Sequence, residues 1–438
     1  MSAIIQAVRE QVDKSPISLT QFMVFTIAFM LNVVDGFDVV AMSVAMPSLT
    51  DAWHLSPTDK GYILSSALIG MTLGAIFLAP LADVYGRKRV VVTATLGISL
   101  TMIITGLLPE SVPLMMAIRC LSGLGIGVIF ANSATIGTEF APEKYRNMVV
   151  TIVVMGYASG ATLVGPIANW IIPLQGWHML FIYGGIFTFL MSVFMYLYMP
   201  ESVEFIANSN DTAANRLSAI NKILINMRCA PLANFPESDA PQRKTSISVK
   251  NLFRENLGLS TLGIWTIYFM GFLSMYFLMA WIPTLFVNSG YERADGVAAL
   301  TMFNLGAVVG IVLIAIIGTS IKLAKPISIY FIGSALFLFG VYYQQPDTLF
   351  WLNLLIFVIG FLLQGGFTAM YALAARVYPA HVRATGMGWA AGLGRTGAII
   401  SPIFAGYLVS ANWSMYQLFL IFALPLLIAG LCVWFYRD

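Results

Sequence analysis

Four charged side chains stand inside long apolar runs. They are Asp35 and Asp38 in VDGFDVVAMSVAMPSL (34–49), Arg119 in RCLSGLGIG (119–127) and Arg395 in GWAAGLGRTGAIISP (388–402). A charge at the centre of a bilayer costs about 3 kcal/mol even on lenient scales, so such a residue faces a partner, a cavity or a ligand. Asp35 and Asp38 are three residues apart and share roughly one helix face. At the rise of a helix, counting from Gln21 puts Asp35 roughly 21 Å above one surface, and counting from Leu114 puts Arg119 roughly 8 Å below the other. In a core of about 30 Å these heights nearly coincide. An Asp35–Arg119 pair is therefore geometrically open. It would be either a static ion pair or a carboxylate whose proton affinity changes as the pair breaks and re-forms. Arg395 lies roughly 20 Å up from Val382 by the same count. No acid of the second half shares that depth, because Glu292, Asp295 and Asp347 fall in outer loops. An unpaired buried guanidinium is costly. Its counter-charge is either a ligand carboxylate, which suits a fork of donors, or Asp35 or Asp38 across the molecule.

The remaining chemistry is sparse. There is no HExxH, no CxxC and no nucleophile–histidine constellation; His54, His178 and His381 sit near predicted helix boundaries. Cys120, Cys229 and Cys432 form neither a disulfide framework nor a metal site. No nucleotide-binding loop is present. These features predict no enzyme, no cofactor, no metal and no use of ATP.

The elements that must position these charges follow from composition. Of 438 residues, 59% are hydrophobic and 10% charged, with a mean hydropathy of +0.83. Soluble chains carry roughly 25% charged residues, so lipid is the main solvent here. The net charge of +3 is too small to imply a nucleic-acid partner. A membrane-crossing helix needs about 20 mainly apolar residues. On that rule six helices are predicted near 20–46, 58–81, 89–108, 112–137, 147–172 and 177–199. Six more follow near 258–287, 295–318, 326–343, 348–375, 382–408 and 413–435. The first 18 residues are polar and mixed in charge, and no cleavable signal peptide is expected in them. The expected organisation is an N-terminal six-helix bundle (1–199), a central loop (200–257) and a C-terminal six-helix bundle (258–438). Within the loop, DTAANRLSAINKILINMR (211–228) reads as a surface amphipathic helix, with the loop serving as a linker or a regulatory segment.

Lysine and arginine set the orientation. On one side fall Arg9, Lys14, Arg87, Lys88, Arg89, Lys144, Arg146, seven residues of the central loop, Lys322, Lys325, Arg376, Arg383 and Arg437, which make 19 of the 23 basic residues. The other side keeps Lys60 and Arg293. Both termini are thus expected in the cytoplasm. The halves also repeat. TEFAPEKYRN (138–147) aligns with ARVYPAHVRA (375–384) at an offset of 237, which also places Gly123 on Gly360 and Gly160 on Gly397. Duplicated bundles of this kind build transporters that rock about a site at their interface.

The loop LADVYGRKR (81–89) resembles the signature loop of the major facilitator superfamily, and the resemblance covers nearly the whole chain. It implies an all-α membrane protein of twelve transmembrane helices in two pseudo-symmetric six-helix bundles. It also implies a gate in which Asp83 sits against the start of the eleventh helix, Gly86 makes the turn and Arg87 pairs with Glu139. Ala79 and Val84 depart from the motif, and the corresponding loop of the second half, GTSIKLAKP (318–326), lacks the acid and the basic cluster, so the lock is one-sided. Arg119 with Gly123 and Gly127 is similar to the second family motif, an intramembrane Arg followed by small residues that admit a neighbouring helix.

Three further segments narrow the resemblance: DGFD in the first helix, PESVEF (200–205) and YALAARVYPAHVRATGMGWAAGLGRTGAI (371–399). They are similar to the aromatic acid:proton symporters, which take up benzoate, hydroxybenzoates and related acids in bacteria. The resemblance marks Asp35 and Asp38 as important positions, and together with Arg119, placed by depth, they are the expected proton-coupling residues. It also marks Arg395, expected at the substrate, and Arg383, expected in the gate with Asp83, Gly86, Arg87 and Glu139. An aromatic acid also wants rings and polar side chains beside it, for which Tyr371, Trp389, Asn132 and Gln364 are candidates. Ala131-Asn132 stands where the family often has Pro-Asn, which leaves the substrate subgroup open. The expected partners are a small organic anion, protons and the lipid bilayer of the bacterial inner membrane, with no obligate protein partner. Rival readings are a dicarboxylate such as muconate, a sugar, drug export, or a receptor that binds such acids without moving them. The receptor reading lacks a large soluble output domain.

Overall fold

The computed structural model describes residues 3–209, 211–234, 252–253, 257–317, 322–346, 348–379 and 382–436. Of the features singled out above, Arg243, Lys244, Lys250, Arg254, Arg437, the turn 318–321, Asp347 and His381 lie outside the described residues. The long helices of the first half are α1 (Leu19–Trp53), α2 (Pro57–Leu73), α3 (Arg87–Leu107), α4 (Val112–Phe140), α5 (Arg146–Gln175) and α6 (Trp177–Tyr198). Those of the second half are α7 (Gly258–Asn288), α8 (Arg293–Ile317), α9 (Ala324–Gln344), α10 (Leu349–Val377), α11 (Arg383–Ser410) and α12 (Met415–Trp434). Eleven of them, with α2 continued by a π-turn to Leu78, are long and apolar enough to cross a membrane. The exception is α11, which has the length but carries six glycines and Arg395 and so falls short in hydropathy.

Local sequence sets the helix starts. Ser18 and Gln21 form a capping box before α1, Ser56 and Asp59 another before α2 with Pro57 at its first turn, and Ser414 and Gln417 a third before α12. Each satisfies backbone donors that lipid cannot. The expected end of the first helix at residue 46 is too early. The helix runs through Pro47 to Trp53. A proline in a membrane helix is tolerated where neighbours re-satisfy the freed backbone, and Met46, Pro47 and Leu49 are all buried.

The internal repeat is visible in the packing. In the first half α1 packs on α5, α2 on α4 and α3 on α6; in the second, α7 packs on α11, α8 on α10 and α9 on α12. The glycines paired by the repeat do equivalent work. A Cβ on Gly123 would overlap the Ala67 carbonyl of α2, and one on Gly360 would overlap the Phe303 carbonyl of α8. Both positions let two backbones touch.

The polar segments fold onto the first half. The helix Ala3–Lys14 buries Ile4, Val8 and Val12 in one cluster with Ile220, Ile223 and Leu224 of the amphipathic helix Ala213–Asn226. The Asp13 carboxylate accepts from the Glu143 backbone N–H at 2.6 Å, and the Thr20 hydroxyl donates to the Asn226 carbonyl at 2.8 Å. We call the end that carries Ala3–Lys14 the terminal face.

The halves meet at the other end. There α2 packs on α11 and α5 on α8, an exchange that keeps the pseudo-symmetry. Ser65 donates to the Ile399 carbonyl at 2.7 Å, the Tyr62 and Tyr407 hydroxyls are 2.7 Å apart, and Arg293 pairs with Asp51. Following one face of α11 shows where the contact stops. Ile399 and Pro402 touch α2, whereas Gly392 and Gly388, on the same face toward the terminal end, border open space. The molecule is closed at the opposite face and open toward the terminal face.

Candidate functional site

The centre of the molecule holds two opposite charges from different halves. Asp35 of α1 is fully buried, and neither carboxylate oxygen has a hydrogen-bond partner among the described residues. Arg395 of α11 lies close enough to act on it electrostatically. Its guanidinium stands 5.1 Å from the ring of Phe130 on α4, a cation–π contact that crosses between the halves. Three phenols surround these charges: Tyr157 of α5, Tyr276 of α7 and Tyr371 of α10. Tyr157 and Tyr276 are within electrostatic reach of Asp35 or of each other, and Tyr276 and Tyr371 are within reach of Arg395. The Tyr157 and Tyr276 hydroxyls face each other beside Asp35.

An aromatic wall extends from this centre. Tyr268, Phe272 and Tyr276 follow one another at four-residue spacing along α7, with centroids 6.3 Å and 5.8 Å apart and rings nearly parallel. Phe367 and Tyr371 of α10 meet them edge-on, at 4.7 Å from Phe272 and 5.1 Å from Tyr268. Such a surface offers flat apolar area with hydroxyls at its margins. The buried Tyr268 hydroxyl lacks a partner among the described residues.

The Asp35–Arg119 pair that the depth count left open does not form in the structure. Arg119 pairs with Asp38, not Asp35: its Nη1 donates to Oδ1 at 2.7 Å and its Nη2 to the Asp38 carbonyl at 3.1 Å. Ser122 donates to the other carboxylate oxygen at 3.1 Å, and Phe181 lies 5.8 Å from the guanidinium carbon. The count misplaced the pair because α1 is 35 residues long, about 52 Å, and its end does not mark the membrane surface. Arg119 satisfies Asp38, one turn further along, and leaves Asp35 to Arg395.

The other anticipated residues are distributed unevenly. Gln364 is buried on α10 and its amide reaches Met279 Sδ at 3.8 Å; Asn132 is buried on α4 and donates to the Val128 carbonyl at 2.9 Å. Trp389 is set apart from the central charges. It is 46% exposed and stacks on Trp265 at 6.2 Å. Phe130 and Tyr157 were not anticipated. The available signal was an aromatic at mid-span beside small residues, IFAN and MGYASG, which many packing positions share.

At the terminal face Arg87 pairs with Glu139, as the signature loop implies, and also with Glu204 at 3.3 Å. Glu201 accepts from the Lys88 N–H at 3.0 Å, so PESVEF braces this loop. Gly86 adopts φ 99° at the break before α3, a conformation that suits glycine. Asp83 has a side chain 60% exposed, with Arg87 at 3.7 Å. Arg383 is exposed and donates from Nε to the Tyr378 carbonyl at 3.1 Å.

Comparison with known proteins agrees with this architecture. The chain is 31% identical over 430 residues to the 4-hydroxybenzoate transporter PcaK of Pseudomonas putida, covering 96% of this chain and 94% of the relative. It is 29% identical to a gallate transporter of the same organism, with 97% and 94% covered. It is 28% identical to a benzoate transport protein of Acinetobacter baylyi, with 98% and 92% covered. Among solved structures it superposes on the inward-open xylose transporter XylE of E. coli with a TM-score of 0.72 at 18% identity, covering 95% and 96% of the two chains. The family model of the Major Facilitator Superfamily matches residues 28–391 and 299–438. With its paired six-helix halves, its closure at one face and its charges at the interface, the chain is a membrane transporter, not an enzyme, and belongs to the major facilitator superfamily.

Proposed function

We propose that this transporter imports a small aromatic carboxylate together with protons, by alternating access. The observation that carries the reading is the Asp35–Arg395 arrangement: a buried carboxylate without a hydrogen-bond partner among the described residues, and a guanidinium near it on the other half. One cation then serves two anions in turn. In the empty site Arg395 offsets Asp35. When a substrate carboxylate takes the guanidinium fork, Asp35 is left uncompensated and takes a proton. Empty and loaded sites thus carry the same charge, and each can reorient without an unpaired ion at mid-membrane.

The aromatic wall of α7 and α10 receives the ring, with Tyr371 beside the carboxylate and Asn132 and Gln364 as polar partners at the margins. Trp389 guards the path from the terminal face. The Asp38–Arg119 pair holds α1 against α4 and conveys the state of Asp35 to the first half. Asp83, Gly86, Arg87, Glu139 and Arg383 act in the gate at the terminal face, where Asp83 engages α11 once that face closes. The similarity to transporters of 4-hydroxybenzoate, gallate and benzoate supports the substrate class. The excess of Lys and Arg at the terminal face supports placing that face in the cytoplasm of a bacterial inner membrane. Importing an anion alone would work against a membrane potential of about 2.3 kcal/mol per charge per 100 mV, which a co-imported proton offsets.

The test is initial uptake of a panel of labelled aromatic and dicarboxylic acids into inside-negative vesicles, with and without an inward proton gradient. Uptake of an aromatic acid that rises with the gradient and collapses with a protonophore is the expected result. Uptake indifferent to the protonophore would rule out proton coupling, and uptake of dicarboxylates alone would move the substrate class.

A further inference from the structure

On the outer surface of the first half, away from the central site, a groove of about 610 Å³ runs between the end of α2, α3 and α4. Its floor is made by small residues, Ala94 and Gly97 on α3 and Gly125 on α4, and its rims by Leu81, Leu100 and Leu121, each 38% to 52% exposed. From Arg89 to Thr101 it follows α3 for twelve residues, about 18 Å. Half of a bilayer core is about 15 Å. The groove therefore starts at the terminal face and ends near the middle of the membrane, the reach of one acyl chain in one leaflet.

Its mouth is charged. Arg89 lines the groove, is exposed, and has no ion pair among the described residues. The neighbouring charges are otherwise engaged. Arg87 is held by Glu139 and Glu204, Asp83 faces Arg87 at 3.7 Å, and Lys88 lies over the Tyr196 ring at 5.5 Å. Tyr85, 60% exposed, stands beside Arg89 at the same mouth. A guanidinium fork at the interface fits a phosphate bidentately, and a tyrosine there sits at headgroup level.

We infer that this groove is a specific site for one anionic phospholipid of the terminal-face leaflet, its phosphate on Arg89 and one acyl chain laid along Gly97 toward Thr101. Gly97 supplies an unusually clean probe. A Cβ added there meets no atom within 4 Å, so a larger side chain fills the groove without colliding with the protein.

The experiment is native mass spectrometry of the purified, delipidated full chain titrated with phosphatidylglycerol and with phosphatidylcholine of the same acyl chains. Wild type is expected to retain the first phosphatidylglycerol about tenfold more tightly than phosphatidylcholine, with a preference that shrinks as salt rises. Arg89→Gln should bring phosphatidylglycerol down to the phosphatidylcholine level. Gly97→Leu should weaken both lipids while leaving the melting temperature and substrate uptake intact. Thr101→Leu plugs the inner end of the groove and should do the same. Equal retention of the two lipids by wild type overturns the proposal, as does an unchanged preference in Arg89→Gln or unchanged retention in both groove-filling variants. Binding of soluble glycerol 3-phosphate as tight as that of the lipid would also overturn it, because the site would then be an anion site with no role for the chain.

Discussion

Asp35 and Asp38 are three residues apart on one helix, both fully buried, and their surroundings give them different work. Asp38 receives two donors from Arg119 and Ser122, whereas Asp35 receives none among the described residues and has only Arg395 as a nearby cation. On this reading Asp35→Asn, which keeps the shape and cannot release a proton, abolishes accumulation against a gradient while leaving exchange of substrate across the membrane. Accumulation at the wild-type level by that variant would remove Asp35 from the coupling step. Arg395 should set the demand for a carboxylate. A charged hydrogen bond is worth roughly 1.5–3 kcal/mol, so losing one or two weakens binding at least about tenfold. Binding of a substrate acid and of its neutral amide, compared in wild type, Arg395→Ala and Arg395→Lys, decides the point. Wild type should prefer the acid strongly and Arg395→Ala should lose most of that preference. Lys keeps the charge without the fork and should also bind weakly. An intact preference in Arg395→Ala would turn attention to Arg119 as the carboxylate's partner.

At the scale of elements, the closed face rests on helix pairs rather than on any single bond. α2 meets α11 backbone to backbone at Gly61 and Gly406, α5 packs Gly165 on the Thr301 side chain of α8, and Asp51–Arg293 and Tyr62–Tyr407 bridge the rims. The Asp51 and Arg293 side chains are 58% and 53% exposed. An exposed pair is worth about 0.2–1 kcal/mol. Arg293→Glu should therefore shift the population toward the state open at the opposite face by no more than about fivefold. Asp51→Arg in the same chain should restore it. Distances between spin labels on α2 and α11 report the shift. A double variant no different from Arg293→Glu would mean the pair does not bias the gate. The one-sided lock implied by the signature loop has its counterpart here: the terminal face is held by Arg87, Glu139, Glu201 and Glu204 within the first half, which leaves it free to part from α11.

At the scale of the molecule, the interface between the halves is closed at the opposite face and open toward the terminal face. The α11 face that carries Arg395 touches α2 at Ile399 and Pro402 and borders open space at Gly392 and Gly388. A cysteine introduced at Gly388 or Gly392, with Cys120, Cys229 and Cys432 replaced by serine, should react with a membrane-impermeant thiol reagent from the terminal side and stay silent from the other. A proton gradient with saturating substrate, which cycles the protein through the state closed at this face, should slow the reaction. Labelling from the opposite side alone would contradict the open face described here.

Much of this protein is determined by the linear chain. Apolar runs of membrane length fix where helices lie, because lipid leaves the backbone no other way to satisfy its polar groups. The repeat that set Gly123 on Gly360 fixed equivalent helix contacts, since only glycine lets those backbones touch. The pairing of Arg87 with Glu139, 52 residues away on α4, was implied by the resemblance of the loop 81–89 to the family signature, and the fold forms it. The tertiary structure alone decided the rest. Whether Arg119 met Asp35 or Asp38 turned on a single helical turn of relative height, which residue counting from a 35-residue helix does not resolve. That Phe130 and Tyr157 stand at the charges, and that Trp389 lies apart from them, depended on the rotation of each helix about its own axis. The packing of neighbouring helices sets that rotation, and an apolar run hydrophobic on every side leaves it unmarked.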